Sequence, residues 1–281
     1  MDLLFGIPGG GTTSVMYMGW RKYCRGLVEV VPMDVAGRGY KANQPAHVEL
    51  EEMAKELADE ICTKAEGKTY VIFGYCLGAL LAYEVCKILD ERNFPEPDHV
   101  FLCGATAPCD KEAQPLFSRK ECRSEISTMF YRFFPPYLFS DRETLDKVIK
   151  IYLEVLFEQA DKTGEFMPIS IEDERFVGID ADKKTLEYIL QFSNSFCENF
   201  QKDQQAVLDY NKKEKEIKKI HCPVTMLCGK EDHIIELEKQ MEWKDWIDGP
   251  FDVVMMDANH FNLTQDSKNI VEIIKERSHQ V

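Results

Sequence analysis

Apolar residues fall into two rhythms along the first hundred positions. Short unbroken runs (DLLFGI, LVEVVPMDV, TYVIFGY and HVFLCGA) have the length and β-branched content of strands buried on both faces. Stretches with helical spacing lie between them. VELEEMAKELADEICTKA sets Leu50, Met53, Leu57 and Ile61 on one face, and ALLAYEVCKILDERN follows the third run directly. Strands alternating with helices predict a parallel sheet covered on both sides. The rhythm changes after Pro108. From Asp110 to about Ile217 the pattern is helical, with aromatic clusters such as MFYRFFPPYLF and no good strand. PVTMLCGKED and FDVVMMDANHF then restore the strand pattern, and NIVEIIKERS closes the chain as an amphipathic helix. The expectation is an α/β core built from residues 1–109 and 218–281, a mostly parallel sheet flanked by helices. Residues 110–217 are expected as a helical lid inserted between two of its strands.

Composition narrows this only a little. The 281 residues are 44% hydrophobic and 30% charged, enough apolar content for a substantial core. The most apolar stretch, TYVIFGYCLGALLAYEV, is broken by Gly74 and Gly78 and reads as strand, turn and helix, so no membrane span is expected. The opening MDLLFGIPGGG lacks the basic start and long apolar core of a secretory signal. Ten cysteines are scattered without CxxC spacing and no HxxxH occurs, which favours reduced thiols in a cytoplasmic protein over disulfides or zinc. A formal charge of −15 argues against nucleic acid as a partner. A monomer is the expected state.

The densest chemical signal is Gly74-Tyr75-Cys76-Leu77-Gly78, where a buried strand meets a helix. A nucleophile on such a turn takes a strained backbone, and glycines two residues to either side avoid clashes. The helix N-terminus beside it favours a thiolate. A buried structural cysteine in a glycine-flanked turn is the alternative, but the string resembles the nucleophile elbow of the α/β-hydrolase fold, which presents nucleophile, acid and base in that chain order. Asp232 in LCGKED and His260 in DANHF each follow a later strand, on the edge where ligands bind in open parallel sheets. His260 would take the thiol proton and Asp232 would orient the imidazole. Asp110, Asp257 and Glu231 are competing acids. His47, His99, His221, His233 and His279 are less well placed as bases. For the oxyanion, one backbone N–H is expected from Leu77 and the other from the Pro8-Gly9-Gly10-Gly11-Thr12-Thr13 loop, where glycine permits close approach and a following helix N-terminus adds its dipole.

Taken together, these motifs resemble the type II thioesterases that accompany nonribosomal peptide and polyketide synthases. LLFGIPGGGTTS with Trp20 is similar to the family's first strand, its Pro-x-Ala-Gly-Gly-Ser loop and its early tryptophan. VEVVPMDVAGRG resembles its second strand and Pro-Gly-Arg-Gly turn, FGYCLGALLAYEV its elbow, and FLCGATAP its strand before the lid. EWKDWIDGPFDVVMMDANHFNL is similar to its Trp-rich helix, last strand and Gly-Gly-His-Phe signature. The resemblance implies a Cys76–Asp232–His260 triad, oxyanion amides at Gly10 and Leu77, no cofactor, and hydrolysis of acyl groups from the phosphopantetheine arm of an acyl or peptidyl carrier protein. The chain departs from the family where Cys76 replaces serine, Gly10 and Thr12 replace alanine and the second glycine, and Ala36 replaces proline. The helical insert is also longer.

Aromatic residues of the insert, Phe130, Phe134 and Tyr137 together with Phe133 and Phe139, are candidates for an acyl pocket. Lys212, Lys213, Lys215, Lys218 and Lys219, interleaved with Glu214 and Glu216, read as a solvated helical face rather than a carrier-protein contact. Three other functions remain open: a dienelactone-hydrolase-like esterase, since GYCLG also occurs there; an acyltransferase or cyclase using the same triad; and an inactive hydrolase serving as a binding module.

Overall fold

In the computed structural model, which describes residues 1–108, 110, 111, 113–134, 142–179, 182–214 and 216–278, the apolar runs form strands β1 (Leu3–Ile7), β2 (Glu29–Pro32), β3 (Tyr70–Tyr75), β4 (His99–Cys103), β5 (Val224–Gly229) and β6 (Phe251–Met256). They make a six-stranded sheet in the order β2-β1-β3-β4-β5-β6, and every pairing is parallel. The second strand is shorter than its apolar run. β2 is the edge strand, so the N–H that Pro32 lacks is not needed by β1, and the Met33 N–H still donates to the Gly6 carbonyl at 2.9 Å just beyond the strand.

Side chains alternate along each strand and feed two cores, one on each face. Leu3, Phe5, Ile7 and Ile72 point into one, and Leu4, Val71 and Phe73 into the other. The helices are α1 (Arg21–Cys24), α2 (Leu50–Lys64), α3 (Leu77–Glu91), α4 (Arg123–Phe133), α5 (Arg142–Thr163), α6 (Lys183–Lys212), α7 (Leu237–Met241) and α8 (Ser267–Ser278). α2 buries Leu50, Met53, Leu57 and Ile61, the stripe its spacing predicts, against α3 and the first face. Ile270, Val271 and Ile274 of α8 join Tyr17 and Trp20 on the second. Fully burying a leucine or isoleucine of this kind is worth about 1.5–3 kcal/mol.

The chain divides into two compact units, Met1–Glu112 with Ala206–Val281, and Ala113–Gln205. The first holds the whole sheet. The second is helical throughout its described elements, and its core includes Phe130 against Tyr152 and Phe196, with Phe196 stacked on Phe200. α6 begins in the helical unit, and its last residues, from Ala206, belong to the sheet unit. There Tyr210 is hydrogen-bonded to the buried carboxylate of Glu84 on α3. Among the described residues, no helix is long and apolar enough to cross a membrane.

Candidate active site

Because all six strands run the same way, the loops leaving β1, β3, β5 and β6 emerge at one edge of the sheet. β3 ends at Tyr75 and α3 begins at Leu77, so Cys76 alone makes the turn. Its backbone sits at φ 53° and ψ −116°, a region L-residues seldom occupy and one that stores strain. Its N–H donates to the Cys103 carbonyl at 2.8 Å, which ties the turn to β4. The flanking glycines are required by contact. A Cβ on Gly74 would stand 2.1 Å from the Gly78 carbonyl oxygen, and one on Gly78 would stand 2.2 Å from that of Ile7. Cys76 is half-buried, whereas Cys103 and Cys228 behind it are fully buried. Burial pushes the Cys103 thiol well above its ordinary value and that of Cys228 up to about 12, so both stay neutral.

Asp232 follows β5 and His260 follows β6. The His260 Nδ1 lies 3.0 Å from an Asp232 carboxylate oxygen, and both residues are buried. The other carboxylate oxygen accepts from the backbone N–H groups of Ile234 and Ile235 at 3.0 and 2.8 Å, which fixes the carboxylate in place. Burial opposes ionisation of Asp232, but the His260 imidazolium and these bonds together hold it below the usual carboxylate value. Burial likewise opposes a charged imidazole at His260. The Asp232 carboxylate overcomes this, with a further contribution from Cys76, and raises His260 to about 10. The Tyr75 hydroxyl donates to the His260 carbonyl at 3.0 Å, linking the elbow strand to the histidine loop.

The loop after β1 is held at several points. Thr12 donates to the Gly9 carbonyl through its N–H at 3.2 Å and its hydroxyl at 2.7 Å, closing a tight turn around Gly10. Gly9 lies so close to the Tyr75 ring that a Cβ there would stand 2.8 Å from it. A 3-10 helix, Ser14–Trp20, follows with Thr13 as its N-cap. Leu77 is the first residue of α3, so no carbonyl one turn earlier in the helix accepts its amide.

The other described histidines and acids are paired elsewhere or exposed to solvent. Asp257 is exposed and pairs with Lys230, Asp110 lies 3.8 Å from Lys239, and Glu231 is exposed. His47 faces Glu52 and Glu56, His99 faces Thr225, His221 faces Asp248, and His233 is exposed. His279 lies outside the described residues. In the helical unit Phe130 is buried against Tyr152 and Phe196, and Phe134 against Phe192; Tyr137, Phe139 and the side chain of Phe133 lie outside the described residues. The lysine cluster is not a helical face. α6 ends at Lys212, and Lys213 and Lys218 beyond it pair with Glu49, Glu51, Asp90 and Glu91, while Lys215 lies outside the described residues. Among the described residues, no group of three or more His, Cys, Asp or Glu is arranged to hold a metal ion.

Sequence reasoning passed over three residues that frame the site: Asp34, Ser14 and Tyr75 as a hydrogen-bonding group. A lone carboxylate in the apolar string VVPMDVAG was the available signal for the first.

Comparison with known proteins places the chain in a family. The thioesterase domain family matches residues 3–280. The medium-chain S-acyl fatty acid synthase thioesterase of Rattus norvegicus is 22% identical over 94% of this chain and 83% of its own length. Among solved structures, the thioesterase RedJ from the prodiginine biosynthetic pathway of Streptomyces coelicolor superposes with a TM-score of 0.63 at 22% identity, covering 99% of this chain and 86% of that one. YbtT, a type II thioesterase from the yersiniabactin NRPS/PKS biosynthetic pathway, gives 0.63 at 18% identity over 97% and 91%. The fold is that of the α/β-hydrolase thioesterases. The chain belongs to the thioesterase domain family and is a thioester hydrolase related, at low identity, to the type II thioesterases of NRPS and PKS pathways.

Proposed function

We propose that the chain releases acyl groups from the phosphopantetheine arm of an acyl or peptidyl carrier protein by way of an acyl-Cys76 intermediate. The observation that carries this reading is the buried His260–Asp232 pair at 3.0 Å, with Cys76 on the strained turn contributing to the same histidine's charge. The likeness to a thioesterase of an NRPS/PKS pathway supports a carrier-protein substrate.

The Asp232 carboxylate favours the imidazolium, so the proton given up by the Cys76 thiol is held on His260. The Cys76 sulfur then forms a bond to the thioester carbonyl carbon, and the oxyanion is held by the amides of Gly10 and Leu77. The tetrahedral intermediate collapses with loss of the pantetheine thiolate, which takes its proton from His260. Water, giving a proton to the same histidine, adds to the acyl-Cys76 carbonyl. The acid leaves as the carbon–sulfur bond breaks and the Cys76 sulfur is reprotonated.

The test is to incubate the protein with a panel of acyl-carrier proteins, read adducts by intact mass and repeat with Cys76→Ala. The variant should form no acyl-enzyme and lose at least ~10³-fold in turnover, the scale of nucleophile removal from a triad. Near-normal turnover in Cys76→Ala overturns the acyl-cysteine route. Preference for a dienelactone over the carrier protein would assign the substrate differently.

A further inference from the structure

Asp34 lies just past β2, is fully buried, and spends its carboxylate on the loop that carries Gly10. One oxygen accepts the Ser14 N–H at 2.6 Å, and the other accepts the Ser14 hydroxyl at 2.7 Å and the Tyr40 N–H at 3.1 Å. Its own N–H lies 3.3 Å from the Tyr40 hydroxyl. The chain makes room for this carboxylate at some cost to its options: Gly39 has φ +55°, and a Cβ there would stand 1.9 Å from the Asp34 oxygen. Ser14 is the residue at which the glycine loop ends and the 3-10 helix begins. At the loop's other end, Tyr17 donates to the Ile7 carbonyl at 2.6 Å. The stretch Pro8–Thr13 is therefore clamped at Ile7 by Tyr17 and at Ser14 by Asp34, with the Gly9–Thr12 turn between them.

A glycine-rich loop has little intrinsic preference for one conformation. An oxyanion donor works only if it is preorganised, since a displacement of well under an ångström forfeits most of its advantage. A buried acceptor for both the N–H and the hydroxyl of Ser14 makes short, directional bonds that fix the end of the loop. We propose that Asp34 is a positioning residue for the reaction: through Ser14 it sets the loop so that the Gly10 amide faces the developing oxyanion. This rests on the reading of Gly10 and Cys76 given above, and Asp34 itself touches no reacting atom.

Two reactions of the same thiol separate this role from general scaffolding. Acylation of Cys76 by an acyl-N-acetylcysteamine thioester passes through an oxyanion. Alkylation of Cys76 by iodoacetamide displaces iodide at an sp³ carbon and does not. Both rates are followed by peptide mass in the full-length protein, its Asp34→Asn variant and its Ser14→Ala variant. The second variant removes only the hydroxyl bond, keeping the carboxylate with its Ser14 N–H and Tyr40 bonds, and so serves if Asp34→Asn folds poorly. Acylation should fall about 10- to 100-fold in a folded Asp34→Asn, part of the ~10²–10³-fold carried by an oxyanion donor, and by a smaller factor in Ser14→Ala, with alkylation unchanged in both. Equal loss of both rates, or acylation unchanged in a folded Asp34→Asn (in Ser14→Ala, should Asp34→Asn not fold), overturns the positioning role. Failure of the underlying reading looks different: the wild-type protein itself would turn over thioester without an adduct on Cys76.

Discussion

At His260 two forces oppose each other, and their balance fixes how the site answers to pH. Removal from water disfavours the charged ring, yet the Asp232 carboxylate holds the proton on it to about pH 10. This value lies above the ~6.5 of an exposed imidazole, so the protonated ring stabilises the folded chain fully below about pH 6.5. That contribution is lost as pH climbs through about 10. Asp232 behaves in the opposite sense. Its lowered value means stability present above the ordinary carboxylate range and lost as pH falls through its folded value. The difference in melting temperature between the wild type and His260→Gln should therefore narrow steadily between about pH 6.5 and pH 10. A difference that stays constant over that interval would show that the ion pair is not the source. Position 76 gives a second prediction. Passing an acyl group from pantetheine sulfur to cysteine sulfur is nearly isoenergetic, and the intermediate keeps thioester reactivity toward amines and thiols. An oxygen ester on serine lies lower in energy and favours water relatively more. With a primary amine or a second thiol present, the ratio of transferred to hydrolysed product should be higher for the native protein than for Cys76→Ser. An equal or lower ratio assigns the cysteine to hydrolysis alone.

The elements around the elbow are joined by approaches too close for any side chain. Gly78 of α3 lies against the carbonyl of Ile7, the last residue of β1, so the helix seats directly on the strand that feeds the glycine loop. Gly78→Ala must separate helix from strand, because a backbone carbonyl held in a sheet cannot rotate aside. A loss of about 1–3 kcal/mol at least is expected in chemical denaturation, with acylation slowed as the loop moves. Gly19, with open space around it, serves as the control, and Gly19→Ala should leave both nearly unchanged. The requirement for glycine at 74 and 78 was legible in the sequence, as were the order of Cys76, Asp232 and His260 and the placement of each after a strand, because these follow from local pattern and a fixed fold topology. Asp34 was not legible in its role. Its partners Ser14 and Tyr40 come from different loops, and only the folded sheet brings β1 and β2 side by side. The break of α6 at Lys212 was also hidden, since the lysines and glutamates that follow suit a helix by propensity while their ion pairs reach back to α2 and α3.

For the molecule as a whole, the charge of −15 sets the terms on which an acidic macromolecular substrate is met. Like charges slow the encounter, and salt relieves the repulsion. With an acidic carrier protein, kcat/KM should rise between about 0.02 M and about 0.2 M salt as the Debye length shrinks toward ~8 Å. With an uncharged small-thiol thioester it should stay flat, and a fall with the carrier protein would point to a local basic docking surface. The order of strands carries a different consequence, for the newly made chain. β4 and β5 are hydrogen-bonded neighbours near the middle of the sheet, yet the entire helical unit, residues 113–205, is encoded between them. During synthesis β1 to β4 therefore emerge and can pair while β4 still offers a bare edge of residues destined for burial. The strand that covers that edge leaves the ribosome only after the helical unit has been completed. The sheet, and with it the meeting of Asp232 and His260, is completed only after the helical unit has been made. Nascent chains stalled near residue 215 should accordingly bind chaperones that recognise exposed strands, and chains stalled past the end of β6 should release them.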